Sequence, residues 1–352
     1  MDMTNGPMIS VIIPTFNAAD YVGRCLERVF QQDMEGMEVI VVDDGSTDNT
    51  MDILAVYNDR IRLIPLGSNV GPSRARNVGL HCATGEFIAF LDADDYWLPG
   101  CVRTMSAVLL ENVDCVAAVC RTVIRRWDGE ERTTGLGSEY TKEVVGSDGV
   151  HIIDKPFECF CSTRIACVGS VVTRRATLEQ IGGFDESLRV TEDVELWACL
   201  ASVGKWAYVD HALFVTDQKA TTSRCRYART KGRYLSFKDQ DVEKWFLRID
   251  SLVSPSQGTA YRRLRGDIVS LVAVAKAHAC QHRDAYMLCS TSRDLLMPGV
   301  CGILKCGLRF PRCMWPVFCY VVRVREAFKC WFPRAYATVR NGVRLLAGVF
   351  YS

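Results

Sequence analysis

Three carboxylates follow one another closely after an apolar run. The stretch FIAFLDADDYW at 87–97 opens with five apolar residues, typical of a strand buried on both faces, and then supplies Asp92, Asp94 and Asp95. Like charges this close repel one another unless a cation or hydrogen-bond donors compensate them. The D-x-D spacing suits Mg²⁺ or Mn²⁺, which leave coordination positions for phosphate oxygens. A solvated turn, where aspartate is common, is the alternative.

A second acidic pair follows an earlier apolar run. Asp43 and Asp44 come directly after the strand-like sequence VIVV at 39–42 and before Gly45 and Ser46. This pattern predicts either a tight turn that leads into a helix cap, or an acceptor for a hydrogen bond from a base or a ribose. Both interpretations stay open from the residues alone.

Two predicted helix starts carry charges that could serve a ligand. Arg74 and Arg76 lie in about the first turn of one helix, where a cation opposes the helix dipole. An anion such as phosphate would compensate them, and a solvated arginine is the alternative. Glu192 and Asp193 open another helix, where acids complement the dipole and Thr191 can act as the cap. A proton-accepting role for these acids is possible, but nothing local decides it.

Strands and helices alternate through the first half of the chain, and this alternation predicts how the charged groups are positioned. Apolar runs predict strands at 9–13, 39–42, 61–64 and 87–91, with helices at 18–32, from 47, and at 73–82. Such alternation is typical of a parallel sheet with helices on both faces. In these sheets ligands bind beyond the carboxyl ends of the strands, which is where Pro14-Thr15, Asp43-Asp44 and Asp92 to Asp94 fall.

The second half of the chain has a weaker pattern. Strands are expected at 116–123 and 169–172 and helices at 176–181 and 191–203, whereas 124–165 is rich in glycine and charge. From about residue 242 the composition becomes helical and basic. We therefore predict an N-terminal tail at 1–7, an α/β domain at 8–240 and a mainly helical C-terminal region at 241–352.

Composition indicates an ordinary globular protein. The chain has 352 residues, 49% of them hydrophobic and 24% charged, which suits one large or two modest domains. Its 17 cysteines are scattered without a C-x-x-C pair, and the opening MDMTNG lacks the features of a secretory signal. Reduced thiols in a cytoplasmic protein are therefore expected. His278 and His282 lie four apart without a third ligand, so solvated helix residues are preferred to a metal site.

Charge is distributed unevenly along the chain. Residues 1–253 carry 27 Lys and Arg against 37 Asp and Glu, whereas 254–352 carry 15 against 4. The segment 298–352 mixes nine cations with aromatic residues and is broken by prolines, which predicts peripheral binding on an anionic membrane surface rather than a crossing of the bilayer. A helical subdomain packed on the catalytic domain is the alternative. No nucleic acid is expected, because no motif that reads it is visible.

Six strings lie in order along the first two thirds of the chain. They are VIIPTFN at 11–17, EVIVVDDGSTD at 38–48, NVGPSRARNVGL at 69–80, GEFIAFLDADD at 85–95, GGFDE at 182–186 and TEDVEL at 191–196. In this order the chain resembles glycosyltransferase family 2, the inverting, nucleotide-sugar-dependent transferases of the GT-A fold. The resemblance implies a Rossmann-like, mostly parallel sheet with helices on both faces.

The resemblance also implies a role for each matching residue on the nucleotide side. Pro14, Thr15, Phe16 and Asp44 would line the nucleobase pocket, with Asp44 accepting a ring N–H. Arg76 would lie near the nucleotide.

On the reaction side, the resemblance implies that Asp92 lies by the ribose and the metal, and that Asp94 binds the Mn²⁺ or Mg²⁺ bridging the diphosphate. Asp193 matches the general base of the family, with Glu192 beside it. General-base help of this kind is worth about 10²–10⁴ in rate. One displacement without a covalent intermediate would invert the sugar configuration.

The expected function is transfer of one sugar from a nucleotide-sugar, with UDP-sugar the first choice, to a lipid-linked or polysaccharide acceptor at the cytoplasmic face of a membrane. The chain lacks the Q-x-x-R-W string of processive synthases and any run of about twenty apolar residues. Lys219 stands where many relatives carry Arg or His, and could contact phosphate. Residues that select the sugar are expected in loops at 124–165 and 205–225.

Two other functions compete with sugar transfer. A nucleotidyltransferase uses a similar sheet and metal, but its glycine-rich, lysine-containing start is missing after the first strand, where Thr15-Phe16-Asn17 stands instead. A non-catalytic nucleotide- or sugar-binding protein of the same fold is the second alternative. Hydrolysis of the donor without an acceptor would separate that case.

Overall fold

The structure is a computed structural model that describes residues 8–32, 34–126, 129–136, 149–188, 191–217 and 239–278. Its strands are β1 (Ile9–Thr15), β2 (Met37–Asp43), β3 (Arg62–Pro65), β4 (Phe87–Phe90), β5 (Tyr96–Trp97), β6 (Cys115–Arg125), β7 (Glu131–Thr133), β8 (Val150–Ile153), β9 (Val171–Arg174) and β10 (Lys205–Asp217). Its helices are α1 (Val22–Phe30), α2 (Thr50–Ala55), α3 (Pro72–Cys82), α4 (Cys101–Glu111), α5 (Pro156–Thr163), α6 (Arg175–Ile181), α7 (Glu192–Val203), α8 (Asp239–Leu252) and α9 (Gly258–His278).

All ten strands belong to one sheet in the order β3-β2-β1-β4-β9-β6-β10-β5, with β7 beside β6 and β8 beside β10. The strands β3, β2, β1 and β4 run parallel, and so do β6 and β10. β9 lies antiparallel between these two parallel groups. The predicted α/β architecture of the GT-A type is therefore confirmed.

The core forms where the apolar runs of the sequence meet. β1 and β4 are buried almost along their whole length, as expected for strands covered by helices on both faces. Gly79 lets α3 approach the sheet closely, because a Cβ atom there would lie 2.4 Å from a side-chain methyl carbon of Ile12. This close approach fixes the position of the helix that carries Arg76.

The expectation of a loop at 205–225 is wrong for its first part. Lys205–Asp217 is β10, paired along much of its length with β6. Four consecutive residues, Trp206 to Val209, are buried. The strand therefore lacks the alternation of apolar and polar residues that identifies a half-exposed strand in a sequence. The segment 124–165 likewise contains β7, β8 and α5 between its undescribed parts.

Two compact units divide the chain, residues 1–264 and 265–352. The first unit includes α8, which lies beyond the division predicted near residue 240; that division stays a prediction. Among the helices that the structure describes, none combines the length and the apolar character needed to cross a bilayer.

Candidate active site

The acidic turn, residues 91–95, leaves the carboxyl end of β4. Leu91 continues the strand pairing through its N–H, which donates to the carbonyl of Ile12 at 3.0 Å, and the N–H of Asp95 then donates to the carbonyl of Asp92 at 3.0 Å. One carboxylate oxygen each of Asp92, Asp94 and Asp95 lies within 4.8 Å of the others. Hard oxygen ligands at this separation fit a divalent cation such as Mg²⁺ or Mn²⁺.

The acidic turn is attached to two neighbouring elements. The Oδ1 atom of Asp95 accepts a hydrogen bond from the N–H of Asp217, the last residue of β10, at 3.2 Å. Arg24 of α1 pairs with the Asp217 carboxylate at 3.0 Å and donates to the carbonyl of Asp94 at 3.3 Å. Asp95 thus joins the turn to β10, whereas Asp92 and Asp94 are the residues assigned to the metal by resemblance.

Arg76 joins the acidic turn to the start of α7. Its side chain is 4% exposed, and its Nη2 and Nη1 atoms lie 2.6 Å from Asp92 Oδ1 and 3.3 Å from Glu192 Oε1. Burial alone would lower the pKa of this guanidinium, but the charges of Asp92 and Glu192 hold the pKa above its ordinary value. The anions that compensate Arg76 are therefore carboxylates of the protein, and not only a ligand phosphate as the sequence suggested.

Asp193 lies in the first turn of α7, beside Glu192. Its Oδ1 atom accepts a hydrogen bond from the N–H of Val194 at 2.9 Å. Burial, with the charge of Glu192 adding to it, raises the pKa of Asp193 to about 6, although the charge of Arg76 acts in the opposite direction. A carboxylate with a raised pKa holds a proton more firmly than an exposed aspartate, which suits a group that must accept one.

Thr191 takes the N-cap position of α7 in an unexpected conformation. Its φ of 59° and ψ of 21° are left-handed, whereas a residue that caps through its side chain has an extended backbone. A left-handed backbone is costly for a β-branched residue, so contacts around it must hold this conformation.

The ends of β1 and β2 meet at the same edge of the sheet. Thr15 and Asp44 are nearly fully buried, Phe16 is 46% exposed, and Pro14 is partly buried. The N–H of Asp44 donates to the carbonyl of Thr15 at 2.8 Å. The four residues predicted for the nucleobase pocket are therefore adjacent.

The two aspartates at the end of β2 have different partners. Asp43 accepts from the N–H of Ser46 at 3.0 Å, as in the predicted tight turn. Asp44 accepts from the N–H groups of Val70 and Gly71 at 2.7 and 2.9 Å. Asp44 thereby holds the loop before α3, a role that the sequence does not suggest.

The GGFDE string at 182–186 forms a turn between α6 and α7. Both backbone polar groups of Phe184 bond to the Asn77 side chain of α3, each at 2.9 Å. Gly183 has a φ of 66°, and a Cβ atom there would lie 2.7 Å from Asn77 Oδ1. The ring of Phe184 packs edge-on against Phe90, with centroids 5.1 Å apart. The turn is thus fixed against α3 and β4.

Four residues of the site were missed by sequence reasoning. Arg24 lies in an ordinary amphipathic helix and Asp217 in an expected loop. Trp245 and Arg248 of α8 donate to the carbonyl of Thr191 at 3.3 Å and to Glu195 Oε1 at 2.6 Å, and both lie in the region predicted to follow the α/β domain. Their positions depend on tertiary contacts for which no local pattern exists. Some of the predictions concern residues that the structure does not describe, namely Lys219, 137–148 and 298–352.

Comparison with known proteins gives one family. The model of the family described as Glycosyl transferase family 2 matches residues 10–181. The putative teichuronic acid biosynthesis glycosyltransferase TuaG of Bacillus subtilis (strain 168) is 31% identical over 211 residues, which are 58% of this chain and 77% of that protein. The succinoglycan biosynthesis protein ExoO of Rhizobium meliloti (strain 1021) is 29% identical over 271 residues, 74% of each chain.

Solved structures share the fold. The crystal structure of S. aureus TarS 1-349 in complex with UDP superposes with a TM-score of 0.52 and 20% identity, covering 84% of this chain and 86% of that chain. The same protein in complex with UDP-GlcNAc gives a TM-score of 0.51 at 19% identity, covering 85% and 92%. At this level of identity the likeness concerns the fold alone.

Proposed function

The chain belongs to glycosyl transferase family 2, and from this premise we propose that it transfers one sugar from a UDP-sugar to an acceptor hydroxyl with inversion at the anomeric carbon. As a member of that family it is a glycosyltransferase, and its fold is GT-A. The observation that carries the proposal is the contact of Arg76 with both Asp92 and Glu192. This contact brings the acidic turn next to the start of α7.

On the donor side, Asp92 and Asp94 would hold the divalent cation, Mn²⁺ or Mg²⁺. Their hard oxygens, within 4.8 Å of one another, fit such an ion. When bound, the ion supplies Lewis-acid stabilisation of the charge that develops on the departing UDP.

The nucleobase pocket would consist of Pro14, Thr15, Phe16 and Asp44. The partly exposed ring of Phe16 offers a face on which a base can stack. Each carboxylate oxygen has two lone pairs, so Asp44 can accept a ring N–H besides the backbone N–H groups that it already binds. UDP as the nucleotide is supported by the TarS complex of similar fold.

On the acceptor side, Asp193 would remove the proton from the attacking hydroxyl. Its raised pKa lets it keep that proton while the new glycosidic bond forms. Arg76 pairs with the Glu192 carboxylate at 3.3 Å, so Glu192 is bound to the arginine that also contacts the acidic turn. With the donor and acceptor on opposite sides of the anomeric carbon, a single displacement turns an α-linked donor into a β-linked product.

The acceptor is proposed to be a glycan or a lipid-linked glycan. The printed names of TuaG and ExoO concern teichuronic acid and succinoglycan biosynthesis, which supports a polymer as the product. We also propose that 298–352, with nine cations and one acid, binds the anionic cytoplasmic face of a membrane.

A screen of donors tests this function. The full chain with Mn²⁺ is incubated with UDP-glucose, UDP-galactose or UDP-GlcNAc, and melting temperature and UDP release are measured. We expect one sugar nucleotide to raise the melting temperature more than UDP does and to release UDP, and Asp94→Asn to abolish that release. Formation of UTP and sugar 1-phosphate from a UDP-sugar and added pyrophosphate, or no release of UDP with any donor, would contradict the proposal.

A further inference from the structure

The helix α8 contacts α7 next to the proposed base, and its residues are not part of any string by which the family is recognised. Trp245, Phe246 and Ile249 are buried at 0–2% exposure, whereas Lys244 and Leu247 face solvent. This amphipathic pattern seats α8 on the catalytic unit. Two of its side chains, Trp245 and Arg248, then reach the start of α7.

The first contact involves Arg248. Its Nε atom donates to Glu195 Oε1 at 2.6 Å, and its Nη2 atom also pairs with the Glu195 carboxylate. Its Nη1 atom donates to the carbonyls of Gly183 and Ile181 at 2.6 and 3.2 Å. One guanidinium therefore joins the GGFDE turn to α7, which begins six residues after that string ends.

Glu195 needs this partner. Its side chain is 1% exposed, and burial raises its pKa while the hydrogen bonds and charge of Arg248 act against that rise. A buried carboxylate without compensation would have to bind a proton or move toward water. Movement toward water would displace the helical turn that also carries Asp193, two residues earlier.

The second contact involves Trp245. Its indole N–H donates to the carbonyl of Thr191 at 3.3 Å, and Trp245 itself is fully buried. Thr191 is the residue with the left-handed backbone, so an external partner at its carbonyl helps to hold a conformation that its own side chain disfavours.

We propose that Trp245 and Arg248 are positioning residues: α8 holds the first turn of α7 in the orientation that presents Asp193 to the acceptor. This inference rests on the proposed role of Asp193. Arg76 holds the same turn from the donor side through Glu192, so α7 is held from both sides of the base.

The test is a kinetic comparison on the full chain with Mn²⁺, in which UDP release is measured from whichever of UDP-glucose, UDP-galactose and UDP-GlcNAc the wild type turns over fastest. The variants are Arg248→Met and Trp245→Phe, and Lys244→Met is the matched control, because it removes an exposed cation from the same helix. Active sites are counted by UDP binding, so loss of folded protein does not enter kcat.

We expect kcat to fall at least tenfold in Arg248→Met and about threefold in Trp245→Phe, with KM for the donor within twofold of wild type. Arg248→Lys should recover part of the kcat, since an ammonium can reach Glu195 but cannot also bond both carbonyls. Hydrogen exchange in peptides covering 191–199 should rise in both main variants. Lys244→Met should change neither parameter by more than twofold.

If Arg248→Met does not fold, the double variant Arg248→Met/Glu195→Met, which buries no charge, replaces it, and Trp245→Phe still gives an independent result. A kcat equal to wild type in folded Trp245→Phe and in the arginine variant would overturn the inference, as would a rise in KM with kcat unchanged. Asp193→Asn is measured in parallel. If it is inactive while the α8 variants are fully active, this inference alone fails; if it is fully active, the proposed base fails as well.

Discussion

At the scale of single residues, one carboxylate of the site has a pKa that differs from that of an exposed aspartate. Burial and the neighbouring Glu192 raise the pKa of Asp193 to about 6. The raised pKa has one consequence for activity and one for stability. It suits Asp193 to accept a proton, but it also means that the ionised carboxylate destabilises the folded protein.

The first consequence concerns activity. As the proposed base, Asp193 must be ionised to accept a proton, so UDP release should fall as the pH drops through about 6. Asp193→Asn should lower kcat by about 10²–10⁴ at pH 7.5, the usual contribution of a general base. Initial rates from pH 5 to 8 with saturating donor test this, and the Kd for UDP serves as the control, which should be unchanged. Full activity in the variant would place the base elsewhere.

The second consequence concerns stability. The pKa of Asp193 in the folded protein lies above its ordinary value of 3.8. Proton binding by Asp193 therefore stabilises the folded state fully below pH 3.8, and this stabilisation is lost as the pH rises through about 6. Asparagine can keep the hydrogen bond from Val194 without the charge. Asp193→Asn should therefore be about 1–3 kcal/mol more stable than wild type at pH 7.5 and nearly equal to it at pH 4. The free energy of unfolding, measured by urea denaturation without metal at both pH values, tests this prediction. A variant less stable than wild type at pH 7.5 would contradict the raised pKa of Asp193.

At the scale of elements, the site is made where α3, the turn after β4 and the start of α7 meet. Arg76 is the cation that all three share, with 4% of its side chain exposed. Its removal leaves Asp92, Glu192 and Asp193 without this compensation.

Arg76→Met should therefore destabilise the folded protein by about 3–5 kcal/mol at pH 7.5, as is typical when one partner of a buried ion pair is lost. The loss should be smaller at pH 5, because Asp193, with a pKa of about 6, is then mostly protonated and its charge no longer repels the neighbouring carboxylates. Arg74→Met is the matched control, since Arg74 is the exposed arginine of the same helix turn and should change stability by less than about 0.5 kcal/mol. Equal effects of the two variants in urea denaturation would show that Arg76 is not the central cation.

The elements also show what sequence patterns can predict. β1, β2, β4 and α3 were predicted because continuous apolar runs and helical spacing are local properties, and the acidic turn follows from where β4 ends. β10 and α5 were not; in β10 two exposed polar residues, Asp210 and His211, interrupt the apolar run where the pairing with β6 shifts register. The partners of Arg24, Asp217 and Arg248 are residues distant in sequence. Such pairs depend on packing, so no local pattern could predict them.

At the scale of the whole molecule, charge separates two parts of the chain. The first 253 residues carry more acids than bases, whereas 254–352 carry 15 Lys and Arg against 4 Asp and Glu. An enzyme that extends a lipid-linked glycan would gain from a basic segment that keeps it at an anionic surface.

The full chain should float with vesicles containing anionic phospholipid at 0.15 M salt, and a chain ending at residue 297 should not. Binding should weaken at 0.5 M salt, because surface attraction is screened. Vesicles of neutral lipid are the control. Equal flotation of the two chains would remove the membrane role of 298–352 and favour the alternative of a segment packed on the enzyme.

The central claim is that Asp92 and Asp94 bind a divalent cation with the diphosphate of UDP, next to the base Asp193. Titration calorimetry of UDP into the full chain tests it directly, with Mn²⁺ or with chelator, for wild type, Asp94→Asn and Asp193→Asn. We expect Mn²⁺ to tighten UDP binding at least tenfold in wild type and in Asp193→Asn, but not in Asp94→Asn. UDP binding of equal affinity with chelator present, or an Asp94→Asn variant that responds to Mn²⁺ as wild type does, would contradict the account.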